Sequence, residues 1–415
     1  MELMNAKGVR DFAPDKKIAR QRIVDTLREA FELYGFSPLE TPVLERFDVL
    51  SSKYAGGAEI LKEMFRLKDQ GKRQLALRYD LTVPLCRFVG MNPQIKMPFK
   101  RYQIGRVFRD GPLKVGRYRE FWQCDVDIVG CPDVTAEAEV LDLATRVFKS
   151  LGLKVVIKVN NRKLLNGIID ASGIKKDREG AILTLDKLEK LGQAAVEKEL
   201  MEKGVASASI KALMKALKAK SLAEIGELGG EGSEGADELK RLFSKLKTYG
   251  AKAELDVSLA RGLAYYTGTV YEVFLRNSDV RSSIAAGGRY DRMIGEFLGS
   301  QGYPAVGLSF GLDILSDVMD KDERKSVTDV YIIPIQTYKE SVKIASQLRE
   351  AGVKADLDMM GRGISKNLKY ADALGIPYVV FIGEDEIKKG KLKLRDMKSG
   401  EERFLTVEGL IKLKA

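Results

Sequence analysis

Residues 120–129 read Glu-Phe-Trp-Gln-Cys-Asp-Val-Asp-Ile-Val and form the clearest strand pattern in the chain. Apolar and polar side chains alternate, and the polar face carries an amide and two carboxylates, Gln123, Asp125 and Asp127. A period of two is that of a β-strand. The preceding run Phe99–Arg109 has the same character, so the pair predicts an antiparallel hairpin. From the alternation alone we expect the polar face to be exposed to solvent.

Arginines surround this hairpin and its loop: Arg101, Arg106, Arg109, Arg117 and Arg119. A guanidinium is planar, permanently charged and suited to phosphate. An antiparallel sheet whose loop bears arginines can clamp a nucleoside triphosphate. The sequence contains no G-x-x-x-x-G-K-[ST], so a P-loop is excluded. A solvated basic surface is the alternative interpretation.

A second informative stretch, Arg261–Phe274, reads Arg-Gly-Leu-Ala-Tyr-Tyr-Thr-Gly-Thr-Val-Tyr-Glu-Val-Phe. Its glycines allow the backbone to approach a ligand closely. If the segment is extended, Tyr265 and Tyr266 project to opposite sides, so one can face a pocket while the other packs. A tyrosine-rich core strand is the alternative. Downstream, Ile284–Asp291 places two glycines beside Arg289 and Tyr290, where a tight structural turn is the alternative.

Periodicity also predicts the order of the elements. Helices are predicted over Lys16–Tyr34 and Asp133–Leu151. Residues 161–246 have a lysine-rich helical pattern, and we interpret the glycine-rich segment Gly229–Gly235 within them as a flexible connection. Residues 321–327 resemble a linker. Strands then alternate with helices, which predicts a small, mostly parallel sheet that ends in a hairpin.

Composition limits the class of protein. The chain has 415 residues, 45% of them hydrophobic and 31% charged, which is typical of a globular protein with several domains. No apolar run reaches membrane-spanning length, and the first ten residues lack a signal core, so we expect a cytoplasmic protein. The net charge of +11 suits a polyanionic partner such as nucleic acid, with a solvated lysine-rich surface as the alternative.

The numbers of cysteine and histidine residues limit the catalytic and metal-binding chemistry that this chain can support. The cysteines are Cys86, Cys124 and Cys131, without a C-x-x-C pair, and histidine is absent from the sequence. We therefore expect neither a disulfide framework nor a structural zinc site. The absence of histidine excludes Ser-His and Cys-His catalysis within this chain. Chemistry must rest on arginines, carboxylates, tyrosines and metal ions.

Taken together, segments along nearly the whole chain resemble the histidyl-tRNA synthetase family of class II, subclass IIa. They are Lys7–Phe12, Tyr34–Val43 (motif 1), Leu77–Pro84, Arg101–Asp127 (motif 2), Arg261–Phe274 and Gly287–Asp291 (the histidine-specific segments), and Pro304–Gly311 (motif 3). The tail resembles the anticodon-binding domain that several class IIa synthetases share.

The resemblance implies a fold of two domains with an insertion. An α+β catalytic domain with an antiparallel sheet is expected in residues 1–160 and 251–322. A helical insertion is expected in residues 161–250, and a C-terminal α/β anticodon-binding domain in residues 328–415. The implied activity joins histidine to ATP as histidyl-adenylate and passes the histidyl group to tRNA. Mg²⁺ is implied with the phosphates, and a homodimer through motif 1.

The resemblance also implies residue roles. Arg109 would bridge the α-phosphate and the substrate carboxylate, Arg117 would hold the outer phosphates, and Arg261 would stabilise charge at the α-phosphorus. The substrate's ammonium group would be received by Asp80, Thr82 and Gln123. Asp127 and Tyr266 would bracket the imidazole, with Tyr290 near the same pocket, because a carboxylate and a phenol suit a ring with two nitrogens. Tyr265 is also expected among the substrate-binding residues.

Departures from the family pattern concern the nucleotide and the tRNA. Motif 3 usually ends in an arginine that covers the adenine, and Ile314 stands there. Motif 2 usually has a glutamate where this chain has Gly111, and Ala264 replaces a frequent aspartate. In the motif 2 loop, Gly111–Gly116, Lys114 is expected to contact a phosphate of the acceptor end.

Three other interpretations remain open from the sequence. The chain could be a non-catalytic regulatory paralogue, an RNA-sensing protein with the synthetase fold, or another class IIa synthetase. The first usually lacks the catalytic arginine and the anticodon domain, and this chain has counterparts of both. The two histidine-specific segments argue against the third. Histidine-dependent exchange between ATP and pyrophosphate separates an enzyme from the first two.

Overall fold

The computed structural model describes residues 2–52, 61–113, 117–262, 265–299, 302–319 and 324–412. The backbone divides into two compact units. One comprises Met1–Arg10 and Ile23–Val318, and the other Asp11–Arg22 and Met319–Ala415. In the part of the chain that is described, no helix combines the length and the apolar character needed to cross a membrane. The division into residues 1–160, 161–250, 251–322 and 328–415 stays a prediction.

The first unit is built on an eight-stranded sheet with the strand order β1-β5-β6-β11-β10-β9-β7-β8. Its strands are β1 Ser37–Pro38, β5 Phe99–Phe108, β6 Glu120–Val129, β7 Val155–Asn161, β8 Glu254–Leu255, β9 Thr269–Leu275, β10 Ala285–Arg289 and β11 Ala305–Gly311. All neighbours are antiparallel except the short outer pairs β1–β5 and β7–β8. The predicted antiparallel sheet is confirmed, and Ile284–Asp291 supplies a central strand instead of a turn.

A smaller sheet and several helices complete the frame of this unit. The smaller sheet has the order β2-β4-β3, with β2 Leu44–Arg46, β3 Arg66–Lys68 and β4 Gln74–Leu77. The helices are Phe47–Leu50, Thr82–Met91, Thr135–Ser150, Met293–Leu298 and Leu312–Val318, together with the part of helix Pro14–Leu33 that begins at Ile23. The predicted helices over Lys16–Tyr34 and Asp133–Leu151 are confirmed to within two residues at each end.

The two faces of the large sheet have different roles, as the alternation in β6 requires. On the apolar face, Phe310 of β11 lies between Phe31 and Phe148, with ring centroids 5.6 Å from each. On the opposite face, Asp125 and Asp127 are buried, with only 4% and 3% of their surface exposed. The expectation of a solvent-exposed polar face is therefore wrong. Partners from distant segments, such as Tyr290 and Ser309, contact its side chains, and alternation cannot reveal such contacts.

The insertion is helical, as predicted. Its helices are Arg162–Ala171, Arg178–Leu185, Leu188–Leu191, Gln193–Glu202, Ser207–Ala216, Leu222–Ile225 and Gly230–Tyr249. Nearly all of Gly229–Gly235, interpreted as a flexible connection, is the first part of the last helix. Its glycines allow close helix packing: a Cβ on Gly235 would lie 2.3 Å from the Leu164 nitrogen, and one on Gly232 3.0 Å from the Gly167 Cα. The interpretation as a flexible connection is wrong, because helix contact explains these glycines.

The second unit contains a five-stranded sheet with the order β13-β12-β14-β15-β16. Its strands are β12 Val330–Pro334, β13 Ala355–Leu357, β14 Tyr378–Ile382, β15 Leu392–Asp396 and β16 Glu402–Leu405. Its later helices are Tyr338–Glu350, Ile364–Ala373, Glu384–Lys389 and Val407–Ile411. The first three strands are parallel, and the last two form the predicted antiparallel hairpin. Of the predicted linker, residues 321–323 lie outside the described part.

Candidate active site

A cavity of about 580 Å³ opens on the polar face of the large sheet, and helices of the insertion supply part of its wall. Every side chain that the sequence placed in the site lines this cavity: Asp80, Thr82, Arg109, Arg117, Gln123, Asp127, Arg261, Tyr265, Tyr266 and Tyr290. They come from segments more than 200 residues apart in the chain. The fold thus brings the whole predicted set together, although their individual roles remain predictions.

One part of the cavity is basic, and Arg109 belongs to it. Arg109 directly follows β5, and its Nε donates to the Tyr79 carbonyl at 3.1 Å. Its guanidinium carbon lies 5.1 Å from the centroid of the Phe121 ring. Burial lowers the pKa of Arg109 from a very high starting value, so the side chain keeps its charge at neutral pH. Arg109 is therefore a fixed cation at the cavity wall.

Arg261, which lies in the segment before β9, lines the same cavity as Arg109. Its Nη1 lies 2.7 Å from Oε1 of Glu272, and its guanidinium carbon 5.6 Å from the Tyr266 ring centroid. Burial lowers the pKa of Arg261, but Tyr266 and Glu272 outweigh burial and raise it overall. Arg117, which is more exposed, places Nη2 2.6 Å from Oε1 of Glu63. The three guanidinium groups, two of them held by glutamates, thus lie together where they can donate hydrogen bonds to an anion.

The other part of the cavity presents hydrogen-bond acceptors. Asp80 precedes helix Thr82–Met91 and accepts from the Val83 nitrogen at 3.1 Å. Burial raises the pKa of Asp80 to about 6, against the opposing effects of Val83 and Arg109. Gln123 donates to the Ser309 hydroxyl at 3.0 Å, while its Oε1 has no hydrogen-bond partner among the described residues. This arrangement suits an ammonium group, which only donates hydrogen bonds.

Asp127 is deeply buried beside this acceptor region. Its Oδ2 lies 2.6 Å from Nη2 of Arg101, and its Oδ1 accepts from the Tyr290 hydroxyl. Burial raises the pKa of Asp127, and Arg101 and Tyr290 act in the opposite direction. Arg101 is itself fully buried and also donates to the Leu81 carbonyl at 3.3 Å. The carboxylate is thus held by two partners at the base of the cavity.

Glycines on the neighbouring strands create the room for these groups. A Cβ on Gly307 would lie 2.0 Å from Oδ1 of Asp127, and one on Gly288 2.8 Å from Cδ1 of Tyr266. The space around Gly287 is equally restricted, because a Cβ on this residue would lie 2.0 Å from the Gly307 carbonyl oxygen. Real Cβ contacts are never this short, so close packing around the cavity accounts for the glycine pair in β10.

The tyrosines form a ring-lined wall. The ring centroids of Tyr265 and Tyr266 are 4.6 Å apart, and those of Tyr265 and Tyr290 are 6.2 Å apart with nearly perpendicular planes. The expectation for an extended segment, in which one tyrosine faces the pocket and the other packs, does not hold. Both line the cavity, because β9 begins only at Thr269 and the preceding residues are not a strand.

A second cavity of about 340 Å³ adjoins the first and shares Arg109, Arg117 and Arg261 with it. Its additional walls are aromatic and apolar, and include Phe121 and Ile314. Helix Leu312–Val318 is anchored beside it, because Asp313 accepts from Arg10 at 2.6 Å and from the Trp122 nitrogen at 3.0 Å. Aromatic and apolar walls next to three arginines suit a purine whose phosphates point toward the cations.

The substitution at Gly111 has a local explanation. A Cβ there would lie 2.7 Å from Oε1 of Glu63, the carboxylate that pairs with Arg117. The neighbouring Asp110 donates from its nitrogen to the Glu63 carbonyl at 2.7 Å and pairs with Arg119 at 3.1 Å. Gly111 therefore leaves space for Glu63. Ala264, and Lys114 in the loop that follows, lie outside the described residues.

Sequence reasoning missed several residues that line these cavities: Glu63, Phe121, Asp125, Glu272, and from the insertion Asp186, Lys187, Lys190 and Lys203. For Asp125 the signal was present, since it shares the polar face of β6 with Gln123 and Asp127. For the insertion lysines no local signal exists. Lysine is common on protein surfaces, and here the Nζ atoms of Lys187 and Lys203 lie 2.8 and 3.2 Å from Oε1 of Glu199.

A resident metal ion would need several oxygen, nitrogen or sulfur ligands close together. In the described ranges, no group of three or more acidic or cysteine side chains is arranged to hold a metal ion. Magnesium prefers oxygen ligands and commonly keeps several waters while it binds phosphates.

Comparisons with known proteins agree with this geometry. Residues 8–315 match the histidyl-tRNA synthetase family, and residues 329–413 match the anticodon binding domain family. The chain is 47% identical over 413 residues to histidine–tRNA ligase 1 of Bacillus cereus, covering 97% of this chain and 95% of the relative.

Solved structures extend the comparison to the fold. Histidyl-tRNA synthetase from Nostoc sp. PCC 7120 superposes with a TM-score of 0.89 at 30% identity, over all of both chains. An ATP phosphoribosyltransferase regulatory subunit/histidyl-tRNA synthetase from Bacillus halodurans C gives a TM-score of 0.76 at 23% identity, over 92% of this chain and 99% of its own. At that identity the second similarity concerns the fold alone.

An antiparallel sheet that carries arginines beside a chamber with aromatic walls, together with the family match, indicates a class II aminoacyl-tRNA synthetase. More specifically, the chain belongs to the histidyl-tRNA synthetase family. Accordingly, it charges tRNA with histidine, and ATP is a substrate of that reaction.

Proposed function

We propose that the two adjoining cavities hold histidine and ATP side by side, so that activation takes place where Arg109 and Arg261 line both of them. The observation that carries this proposal is the charge division of the site. Cations occupy one part, at the opening to the apolar chamber, while acceptors and tyrosine rings occupy the other. This arrangement suits an amino acid that binds in the acceptor-lined part, with its carboxylate next to the α-phosphate of an ATP bound in the basic part.

The first step follows from this placement. A carboxylate oxygen of histidine attacks the α-phosphorus of ATP, the new P–O bond forms, and the bond to pyrophosphate breaks. Arg261 and Arg109 stabilise the negative charge that develops on the α-phosphate oxygens, and Arg117 holds the outer phosphates. Since Glu272 and the Tyr79 carbonyl fix the arginines in advance, little reorganisation is needed during the reaction.

Recognition of the amino acid occupies the other part of the site. The ammonium group lies against Asp80, Thr82 and Gln123, which together offer carboxylate, hydroxyl and amide oxygens. The imidazole lies at the end formed by Asp127 and the tyrosines Tyr265, Tyr266 and Tyr290. Polar recognition of a ring nitrogen allows discrimination of up to ~10⁴-fold against analogues that lack it.

In the second step the histidyl group is transferred to tRNA. A hydroxyl at the 3′ end of the tRNA attacks the carbonyl carbon of the adenylate, and AMP leaves. The C-terminal unit binds the anticodon. Mg²⁺ accompanies the ATP phosphates and waters, two copies associate through Tyr34–Val43, and the reaction takes place in the cytoplasm, where tRNA is used. The net charge of +11 favours the tRNA complex.

The test of this function is histidine-dependent exchange of radiolabelled pyrophosphate into ATP, with the other amino acids in parallel. We expect exchange with histidine alone, followed by attachment of histidine to its tRNA. Absence of exchange with every amino acid would support a regulatory or RNA-sensing protein, the alternative that the comparisons do not favour. Exchange with a different amino acid would reject the histidine site.

A further prediction concerns the isoleucine in the second cavity. Replacement Ile314→Arg is expected to lower the KM for ATP, because a guanidinium over the purine face adds a cation–π contact of roughly 0.5–2 kcal/mol. This corresponds to a decrease of roughly 2- to 30-fold. The KM for histidine should stay constant, since Ile314 does not line the larger cavity. ATP titration in the exchange assay measures both, and an unchanged KM for ATP would contradict the assignment of this chamber to adenine.

A further inference from the structure

Arg261, which the proposed function places at the α-phosphate, begins a segment, Arg261–Gly268, that belongs to no helix or strand in its described part. Arg162 bridges the two ends of this segment. Its backbone nitrogen donates to the Gly268 carbonyl at 2.8 Å, and its side-chain Nη1 donates to the Arg261 carbonyl at 3.3 Å. The pairing of β7 with β9 fixes only the second end, which lies next to β9. The Arg162 side chain therefore holds the end that carries the cation.

The residues just before Arg261 are held in the same way. Asn160, which is fully buried near the end of β7, donates from Nδ2 to the carbonyls of Val257 and Leu259, both at 2.9 Å. Main-chain carbonyls inside a protein need hydrogen-bond partners, and outside a regular strand side chains must supply them. The backbone that leads to Arg261 thus depends on two side chains at one end of β7, those of Asn160 and Arg162.

Arg162 is also the first residue of the helical insertion, because helix Arg162–Ala171 begins with it. Burial lowers the pKa of Arg162 from a very high starting value, and two carboxylates act in the opposite direction. They are Glu179 and Glu231, which lie in the first turns of two other insertion helices. The guanidinium keeps its charge at neutral pH. One side chain therefore connects three helices of the insertion with the carbonyl of Arg261.

A second residue of the insertion approaches the same segment. Asp186 follows helix Arg178–Leu185, and a Cβ on Gly262 would lie 3.0 Å from its Oδ2. Asp186 also lines the larger cavity together with Arg261. The insertion thus contacts the residue after Arg261 as well as the Arg261 carbonyl, and its position and that of the arginine depend on each other.

We propose that Arg162 is a positioning residue for the activation step, which holds the main chain of Arg261 so that the guanidinium meets the charge developing on the α-phosphate. Within the described ranges Arg162 lines neither cavity, so it acts through Arg261. Glu272 fixes the side chain of Arg261 and Arg162 fixes its backbone, which keeps the cation in place before the reaction. The inference rests on the proposed function and gives the insertion a part in activation.

The experiment is a double-mutant cycle in the exchange assay, with Arg162→Met, Arg261→Gln and the double variant. We expect Arg162→Met to lower kcat roughly 10- to 100-fold, because a displacement of about 1 Å can cost this much. The KM values for ATP and histidine should change by less than about threefold, since ground-state contacts remain. In the Arg261→Gln background the same replacement should change kcat by less than about threefold, because its effect passes through the missing guanidinium. Arg162→Lys retains a donor and should restore part of kcat.

The matched control is Arg178→Met, another arginine of the insertion, which pairs with Asp170 at 2.5 Å and has a side chain that is 44% exposed. Its kcat should equal that of the wild type. A lower melting temperature of Arg162→Met with unchanged kcat would show a purely structural role and overturn the proposal. Equal losses of kcat in both backgrounds would also overturn it, as would a loss confined to the KM for histidine. Unchanged exchange in Arg261→Gln alone would instead reject the proposed function of that arginine.

Discussion

Replacement Arg261→Gln is expected to slow histidine-dependent pyrophosphate exchange by ~100-fold or more, because the variant loses the charge that meets the developing negative charge on the α-phosphate. The effect should appear mainly in kcat, since a contact that strengthens in the transition state contributes little to substrate binding. Exchange rates at saturating ATP and histidine measure it.

The matched control is Arg276→Gln. Arg276 follows the same strand, β9, and pairs with Glu254 at 2.8 Å, but it is 52% exposed and outside both cavities. Its loss should leave the exchange rate unchanged. This control shows whether the position of the lost positive charge matters, because both variants remove one arginine. If Arg261→Gln retained exchange within about tenfold of the wild type, Arg261 would not stabilise the transition state.

Replacement Arg101→Met is expected to destabilise the first unit by about 3–5 kcal/mol, the typical cost of breaking a buried ion pair by removing one partner. Arg101 is 0% exposed, and its loss leaves Asp127 buried without its cation. Trp122, the single tryptophan of the chain, lies on β6 and reports unfolding of this sheet in urea by its fluorescence.

The matched control is Arg106→Met on the same strand. Arg106 pairs with Glu120 at 3.1 Å but is 57% exposed, so its loss should cost less than about 1 kcal/mol. Equal stability losses for the two variants would show that the buried Arg101–Asp127 pair contributes no more to the free energy of unfolding than an exposed pair.

The Arg101→Met deficit should also depend on pH. Without its cation, the folded-state pKa of Asp127 rises further above the unfolded value. A carboxyl group with a raised folded-state pKa favours the folded state at low pH and loses this contribution as the pH rises through the folded-state pKa. The deficit should therefore shrink when the pH falls from about 7 toward about 5. A deficit that grew on acidification would contradict the explanation.

The sheet was predictable because its signal is local. In β6 the alternation of side chains specified both the strand and its two faces, and the hairpin with β5 followed. Burial of the polar face was not predictable from that pattern, since its partners, such as Tyr290 and Ser309, come from distant segments. The same limit explains Gly232 and Gly235. A glycine that is needed for helix contact has the same sequence signature as one in a loop.

The candidate site was predictable as a set through the resemblance of its motifs, and much less from the residues alone. The sequence alone cannot distinguish the hydrogen bonding of two aspartates that lie at i and i+2 on one face of a strand. Only the fold reveals that Arg101 and Tyr290 satisfy Asp127 while Oδ1 of Asp125 stays unpartnered within the described residues. Likewise, the turn before β9 directs Tyr265 and Tyr266 into the same cavity, whereas an extended backbone would separate them.

The most direct test of the central claim is a crystal structure with histidinol and ATP bound. The proposed function predicts that guanidinium nitrogens of Arg109 and Arg261 lie within hydrogen-bond distance, about 3 Å, of oxygens on the α-phosphate. The imidazole should lie in the end of the cavity lined by Tyr265, Tyr266 and Tyr290. An α-phosphate beyond the reach of Arg261, or an imidazole outside that aromatic end, would contradict the account.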